Sequence, residues 1–263
     1  MEEYKEIMLL KKDQIESGYS GAIKRMPLKL NYLLPLLFSF CHAQKTYNDL
    51  QGAGYKGNVK TITIYSYSED SASVADRLRL TGKVVFYYNR VGNVDSSSQY
   101  LKWRANGKLE KLYDTYISFQ RGKRLEVTHN YLCDETDTTK QILINDSIYK
   151  TSSTKKCSKQ MIITECNIDG EGKLKRIKMS VFEKGTCPVL TQTTEYYGKR
   201  SDGFYSGCIV TITDKLDKNE KTIFHSTYAD FDKHRNPGKI IYTGTSKGEP
   251  PKQTMEIYEY QYY

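Results

Sequence analysis

The chain has none of the familiar signatures of covalent, nucleotide or metal chemistry. It holds no G-x-S-x-G nucleophile elbow, since Gly18-Tyr19-Ser20-Gly21 is too short, and no H-E-x-x-H, phosphate loop or dinucleotide fingerprint. Its six cysteines form no C-x-x-C and no Cys/His cluster at zinc spacing, which argues against a structural metal site. His129 and Cys133 stand four apart, a spacing that serves a common ligand only on a helix, and Leu125-Glu126-Val127-Thr128 before them reads as strand. No stretch after Gln44 keeps a helical period. The longest apolar run, Leu33 to Phe40, falls far short of the roughly 18–20 residues of a membrane-spanning helix. These absences leave an all-β chain with no expected cofactor, no expected metal and no transmembrane span after Gln44.

What stands between Lys24 and Gln44 reads as a secretory signal. Lys24, Arg25 and Lys29 supply the basic end, Leu33-Leu34-Pro35-Leu36-Leu37-Phe38-Ser39-Phe40 the apolar middle, and Cys41-His42-Ala43 the small-residue exit. Pro27 and Pro35 argue against the alternative of a buried helix. Lipidation of Cys41 is a further alternative that the bulky Phe38-Ser39-Phe40 fits poorly. The expected organisation is therefore residues 1–25 as a mis-assigned start or leader, residues 26–43 as the signal peptide, and residues 44–263 as one β-repeat domain, located in the periplasm or at the cell surface.

The chain carries a net charge of +9. Its lysines are scattered one or two per presumptive strand, and Lys173-Leu174-Lys175-Arg176-Ile177-Lys178 is the one sustained basic run. Solvated sheet faces account for that distribution better than nucleic acid does. Tyrosine is the outlier at 23 residues, of which three (Tyr4, Tyr19, Tyr32) precede Gln44. Tyrosine and threonine favour a pleated, half-buried surface, so the composition points to a sheet with one wet face.

A tripeptide of Gly, then Asn or Lys, then an aliphatic recurs as Gly57-Asn58-Val59, Gly92-Asn93-Val94, Gly107-Lys108-Leu109, Gly172-Lys173-Leu174 and Gly238-Lys239-Ile240. Gly92, Gly107 and Gly122 lie fifteen residues apart, room for one strand and one turn. Glycine tolerates the positive φ of a tight reversal, and the aliphatic opens the next strand. Between turns the text alternates, as in Lys60-Thr61-Ile62-Thr63-Ile64-Tyr65 and Ile257-Tyr258-Glu259-Tyr260-Gln261-Tyr262. Asp70 to Leu80 is the one exception, a helical turn or a loop. The pattern predicts a long antiparallel meander of about ten to thirteen strands.

Tyr87-Tyr88-Asn89-Arg90-Val91-Gly92-Asn93-Val94 resembles the tyrosine–aspartate (YD) repeat of Rhs-type proteins: an aromatic, Asp or Asn, two free positions, then Gly-Asn. Phe231-Asp232-Lys233-His234-Arg235-Asn236-Pro237 is similar, with Arg235 in the glycine position, and Trp103 to Lys108 is a degraded copy. The nearer likeness is to small exported YD-like proteins of Bacteroidetes, with Gly57-Asn58-Val59-Lys60 as an opening strand and Glu256 to Tyr263 as a Tyr-rich close. The resemblance implies an extended, curved sheet of hairpin repeats in an exported protein of a Gram-negative bacterium.

Chemistry-bearing residues are sparse. Asp134-Glu135-Thr136-Asp137 reads as a solvated hairpin turn, with paired carboxylates for hydrolysis or calcium as the alternative. His129, His225 and His234 read as exposed strand residues with no readable catalytic partner. Asp70-Ser71-Ala72, Asp137-Thr138-Thr139 and Asp146-Ser147-Ile148 resemble short O-glycosylation acceptors. Tyr258, Tyr260 and Tyr262 share one face of a strand, as do Tyr65 and Tyr67. Such stripes bind a glycan or protein partner when exposed and pave a core when covered. Cys157 and Cys166 read as belonging to one extended strand, too far apart to bond. A reversal at Asp169-Gly170-Glu171-Gly172 then favours a Cys157–Cys187 bridge, with Cys133 or Cys208 as rival partners. The expected function is a non-enzymatic exported scaffold for an unknown protein or glycan partner, without nucleic acid. The alternative is a carbohydrate-binding module using the tyrosine stripes, and an unrecognised hydrolase ranks third.

Overall fold

Alternating Thr, Tyr, Val and Ile build fourteen strands among the residues that the computed structural model describes, namely 49–69, 78–102, 107–120, 123–145, 148–155, 159–170, 173–183, 187–214 and 219–263. A short helix, α1 (Asp49–Ala53), precedes β1 (Val59–Glu69), β2 (Leu78–Tyr88), β3 (Val94–Leu101), β4 (Glu110–Gln120) and β5 (Lys123–Asn130). Then follow β6 (Glu135–Asn145), β7 (Ile148–Lys155), β8 (Gln160–Ile168), β9 (Leu174–Phe182) and β10 (Leu190–Lys199). The series closes with β11 (Tyr205–Asp214), β12 (Asn219–Phe231), β13 (Pro237–Ser246) and β14 (Lys252–Tyr262). The expected signal between Lys24 and Gln44 lies outside the described residues, as do most of Asp70 to Leu80, Trp103 to Asn106, Asp146-Ser147 and Cys157.

Every strand pairs antiparallel with its sequence neighbour, and β14 returns to pair with β1, so the sheet is a closed barrel. This corrects the expectation of an extended, curved sheet. The closing seam joins Ile62 to Tyr260 and Ile64 to Tyr258 in register. Closure abolishes both open edges, which a long Tyr-rich meander would otherwise expose to pairing with other chains.

The pairing registers divide the side chains between two faces. Inward stand Ile62 and Ile64 of β1, Val84 and Phe86 of β2, Ile177 of β9, Val210 of β11, Phe224 of β12 and Ile240 of β13, all buried. Tyr149, Cys166, Ile168 and Ile177 form one inward cluster against Leu174 and Tyr196. Outward stand Lys83, Glu165, Arg176, Lys178 and Glu195 among Ser, Thr and Tyr. Glu165 pairs across strands with Lys178, and Arg176 with Glu195 through an ion pair of 3.4 Å.

Three turns at the end where β1 begins share one scheme. Asn89, Arg200 and Asp232 each donate their N–H to the carbonyl four residues on, at 2.9, 2.8 and 2.9 Å. The fourth turn residue donates back to the first and is left-handed in each: Gly92 at φ 86°, Gly203 at 97° and Arg235 at 66°. Asn89 Oδ1 accepts from Val91 N and Asn93 N, and Asp232 Oδ1 accepts from His234 N and Asn236 N. The two best copies of the sequence motif are therefore the same turn: its Asn or Asp caps the loop and its glycine position is left-handed, whichever residue occupies it. Gly238 departs from the expected role. It sits inside β13, past the left-handed Arg235, where a Cβ would meet the Asp230 carbonyl at 2.5 Å.

Candidate functional site

The segment from Asp49 to Asn58 lies across the barrel end formed by these turns. On one side Asp49 is anchored by Arg124 of β5, whose Nη1 lies 3.0 Å from Oδ1 and 3.2 Å from Oδ2, and by the Val94 N–H at 2.7 Å. Arg124 Nε also meets Glu126 Oε1 at 3.0 Å. Residues 124 and 126 share the inward face because strand positions two apart do. Burial pushes the Glu126 carboxyl above its ordinary range, and Arg124 only partly offsets this.

On the other side Asn236, fully buried, clamps the segment through both amide atoms. Its Oδ1 accepts from Lys56 N at 2.7 Å and its Nδ2 donates to Lys56 O at 2.8 Å. Tyr55 packs its ring against Phe204, Tyr258 and Tyr260 with centroids 5.9–6.3 Å apart. Burial works to raise the Asp232 carboxyl, but the Tyr262 hydroxyl and the Asn236 and His234 N–H groups outweigh it and hold Asp232 below the usual range. Between this cap and the β2–β3 turn lies a crevice of about 380 Å³. Leu50, Tyr55 and Val59 give it an apolar floor, and the exposed Lys56 and Arg90 stand at its rim.

The two tyrosine stripes fall on opposite faces. Tyr258, Tyr260 and Tyr262 point inward, where Tyr258 and Tyr242 donate to Glu256 Oε2 at 2.5 and 3.1 Å and Tyr260 to the Pro237 carbonyl at 2.9 Å. They do not form an exposed binding stripe. Burial raises the Glu256 carboxyl despite those two donors. Tyr65 and Tyr67 point outward and are half-buried, Tyr65 with Lys83 over its ring at 5.4 Å. Tyr87 and Tyr116 are exposed outward rings, at 45% and 61%, which flank Ser96 in one cross-strand row.

The cysteine expectation is also corrected. Cys187 carries an exposed free thiol, so it is not bridged to Cys157, which itself lies outside the described residues. Cys166 is disulfide-bonded, and Cys208 is a buried free thiol pushed up to about 12 by burial. The hairpin argument placed one strand over Cys157–Ile168, whereas β8 begins only at Gln160. In the acidic cluster, Asp134 is a left-handed turn residue, but Asp137 is inward, buried and 3.4 Å from Lys155. His225 is exposed on β12 beside the Tyr197 hydroxyl, while His234 belongs to a turn and packs on Tyr262.

An antiparallel barrel with a capped end is thus the class that fold and site define. No family model and no curated protein matches the chain. Among solved structures, a porin-like protein from Bacteroides uniformis shares the fold at a TM-score of 0.50 and 8% identity, over 77% of this chain and 98% of that one. A porin-like protein from Bacteroides vulgatus aligns at a TM-score of 0.42 and 11% identity, over 79% and 99%. A LolA superfamily protein from Nitrosomonas europaea aligns at 0.25 and 6%, over 81% and 91%.

Proposed function

We propose that the chain is an exported, non-enzymatic barrel that acts as an interaction scaffold, presenting its outward face to a protein or glycan partner. The observation that carries this reading is the charge at mid-strand on that face, Glu165, Lys178, Arg176 and Glu195. A basic side chain on a lipid-facing strand costs about 2–4 kcal/mol at the bilayer midplane, so a face built this way suits water and polar partners. The inward carboxylates bind within the molecule, Asp49 and Glu126 to Arg124 and Glu256 to two tyrosines, which favours a structural role for them over a catalytic one.

The alternative of carbohydrate binding moves from the buried stripe to Tyr87 and Tyr116, whose exposed rings stand two strands apart. A photo-crosslinking residue at position 116, introduced in the native host, should give a discrete adduct with the partner. The same residue at inward position 210 should give none. Adducts from position 210 alone would contradict the reading, and saturable glycan binding lost on Tyr116→Ala would favour the alternative. Mass spectrometry of the protein from its host should find a mature start at Gln44, and an intact Met1 terminus in the cytosol would oppose export.

A further inference from the structure

The crevice at the capped end has features that a scaffold does not require. Its volume of about 380 Å³ lies within the size range of small-molecule sites. Its lining is sorted by chemistry: Leu50, Tyr55 and Val59 are buried at the floor, while Lys56 and Arg90 are exposed at the rim. Among the described residues no carboxylate lines it. The acids that bear on it are committed elsewhere. Asp202, whose charge reaches Lys56, is held by Arg200 through Nε and Nη2 at 3.1 and 2.9 Å. Asp95 accepts from Asn89 Nδ2 at 3.0 Å. Arg90 lies over the Tyr263 ring at 5.5 Å, which steadies the guanidinium without neutralising it.

We propose that this crevice binds a small anionic amphiphile, with the apolar body on the Leu50–Tyr55–Val59 floor and a single carboxylate or phosphate head between Lys56 and Arg90. Two cations around one opening, with no acid among the described lining residues, select for negative charge, and the apolar floor distinguishes an amphiphile from a bare anion. Guanidinium and ammonium both donate to carboxylate and phosphate oxygens. The cap holds the floor in place, because Asn236 fixes Lys56 and Arg124 fixes Asp49. This inference is independent of the outward face and its partner.

Calorimetric titration of the full chain with octanoate, octyl phosphate, octylammonium and inorganic phosphate tests it. Octanoate or octyl phosphate should bind saturably and at least about tenfold tighter than octylammonium, the tighter of the two naming the head group. Lys56→Gln and Arg90→Gln should each weaken binding about fivefold and together abolish it. Both positions are exposed, so the melting temperature should not move. Equal binding of octylammonium, inorganic phosphate as tight as octyl phosphate, or a folded double variant that binds unchanged would each overturn the proposal.

Discussion

Arg235 shows what the turn asks of a single residue. It is left-handed at φ 66° in the position that Gly92 fills at 86°. The left-handed region costs an L-residue about 1–2 kcal/mol, so Arg235→Gly should stabilise the protein by up to about 1 kcal/mol. Gly92→Val should destabilise by about 1–3 kcal/mol. Urea unfolding of both variants checks the pair, and shifts of the same sign would refute the shared turn. The motif was legible in the sequence because turn chemistry is local: an amide or acid to cap, then a left-handed position. Gly238 misled because its tripeptide matches while its register does not. Glu256 was not legible, since nothing adjacent in the chain announces that Tyr242 and Tyr258 converge on it. Its folded pKa is raised by burial, so the folded state keeps a proton that the unfolded chain has released. Stability is then fully present below the ordinary carboxylate range and falls as pH rises through the window up to the raised value. Glu256→Gln keeps an acceptor for both hydroxyls and removes that decline. Its melting temperature should exceed the parent's at neutral pH and match it in acid.

At the scale of elements, strand existence followed from alternation, but closure did not. Each hairpin is specified by neighbours in the chain, whereas the β1–β14 seam joins residues about two hundred apart whose patterns, Thr61 to Tyr67 and Met255 to Tyr262, suit an edge and a seam equally. The same ambiguity left both tyrosine stripes open to an exposed or a covered face in the sequence, whereas the seam sends one inward and the other outward. Thr63 and Glu259 are register partners on the outward side. Thr63→Cys with Glu259→Cys should therefore oxidise to a cross-link identifiable by peptide mapping, as cross-strand Cβ atoms about 4.5–5.5 Å apart allow. An open meander would leave both thiols alkylatable. The cap depends on a second long-range contact, Asp49 with Arg124, both nearly fully buried. Asp49→Asn should cost about 3 kcal/mol, because it leaves the guanidinium short of one of its carboxylates. The loss should show first as faster hydrogen exchange of the amides from Leu50 to Asn58.

For the molecule as a whole, the inward face combines apolar and aromatic side chains with buried, internally paired polar groups such as Arg124, Glu126, Asp137 and Glu256, and the outward face is charged at mid-strand. Composition had suggested one wet face, and the closed sheet makes that face the exterior. The proposed scaffold role requires that this exterior meet water and not lipid. A nitroxide at Lys178→Cys, at the centre of β9 on the outward side and in a chain whose exposed Cys187 is replaced by Ser, reads that solvent directly when the protein is mixed with liposomes. The account predicts relaxation by a water-soluble nickel complex, little by oxygen, and a protein that stays in solution without detergent. Preferential relaxation by oxygen, with the label inserted among lipid chains, would contradict it.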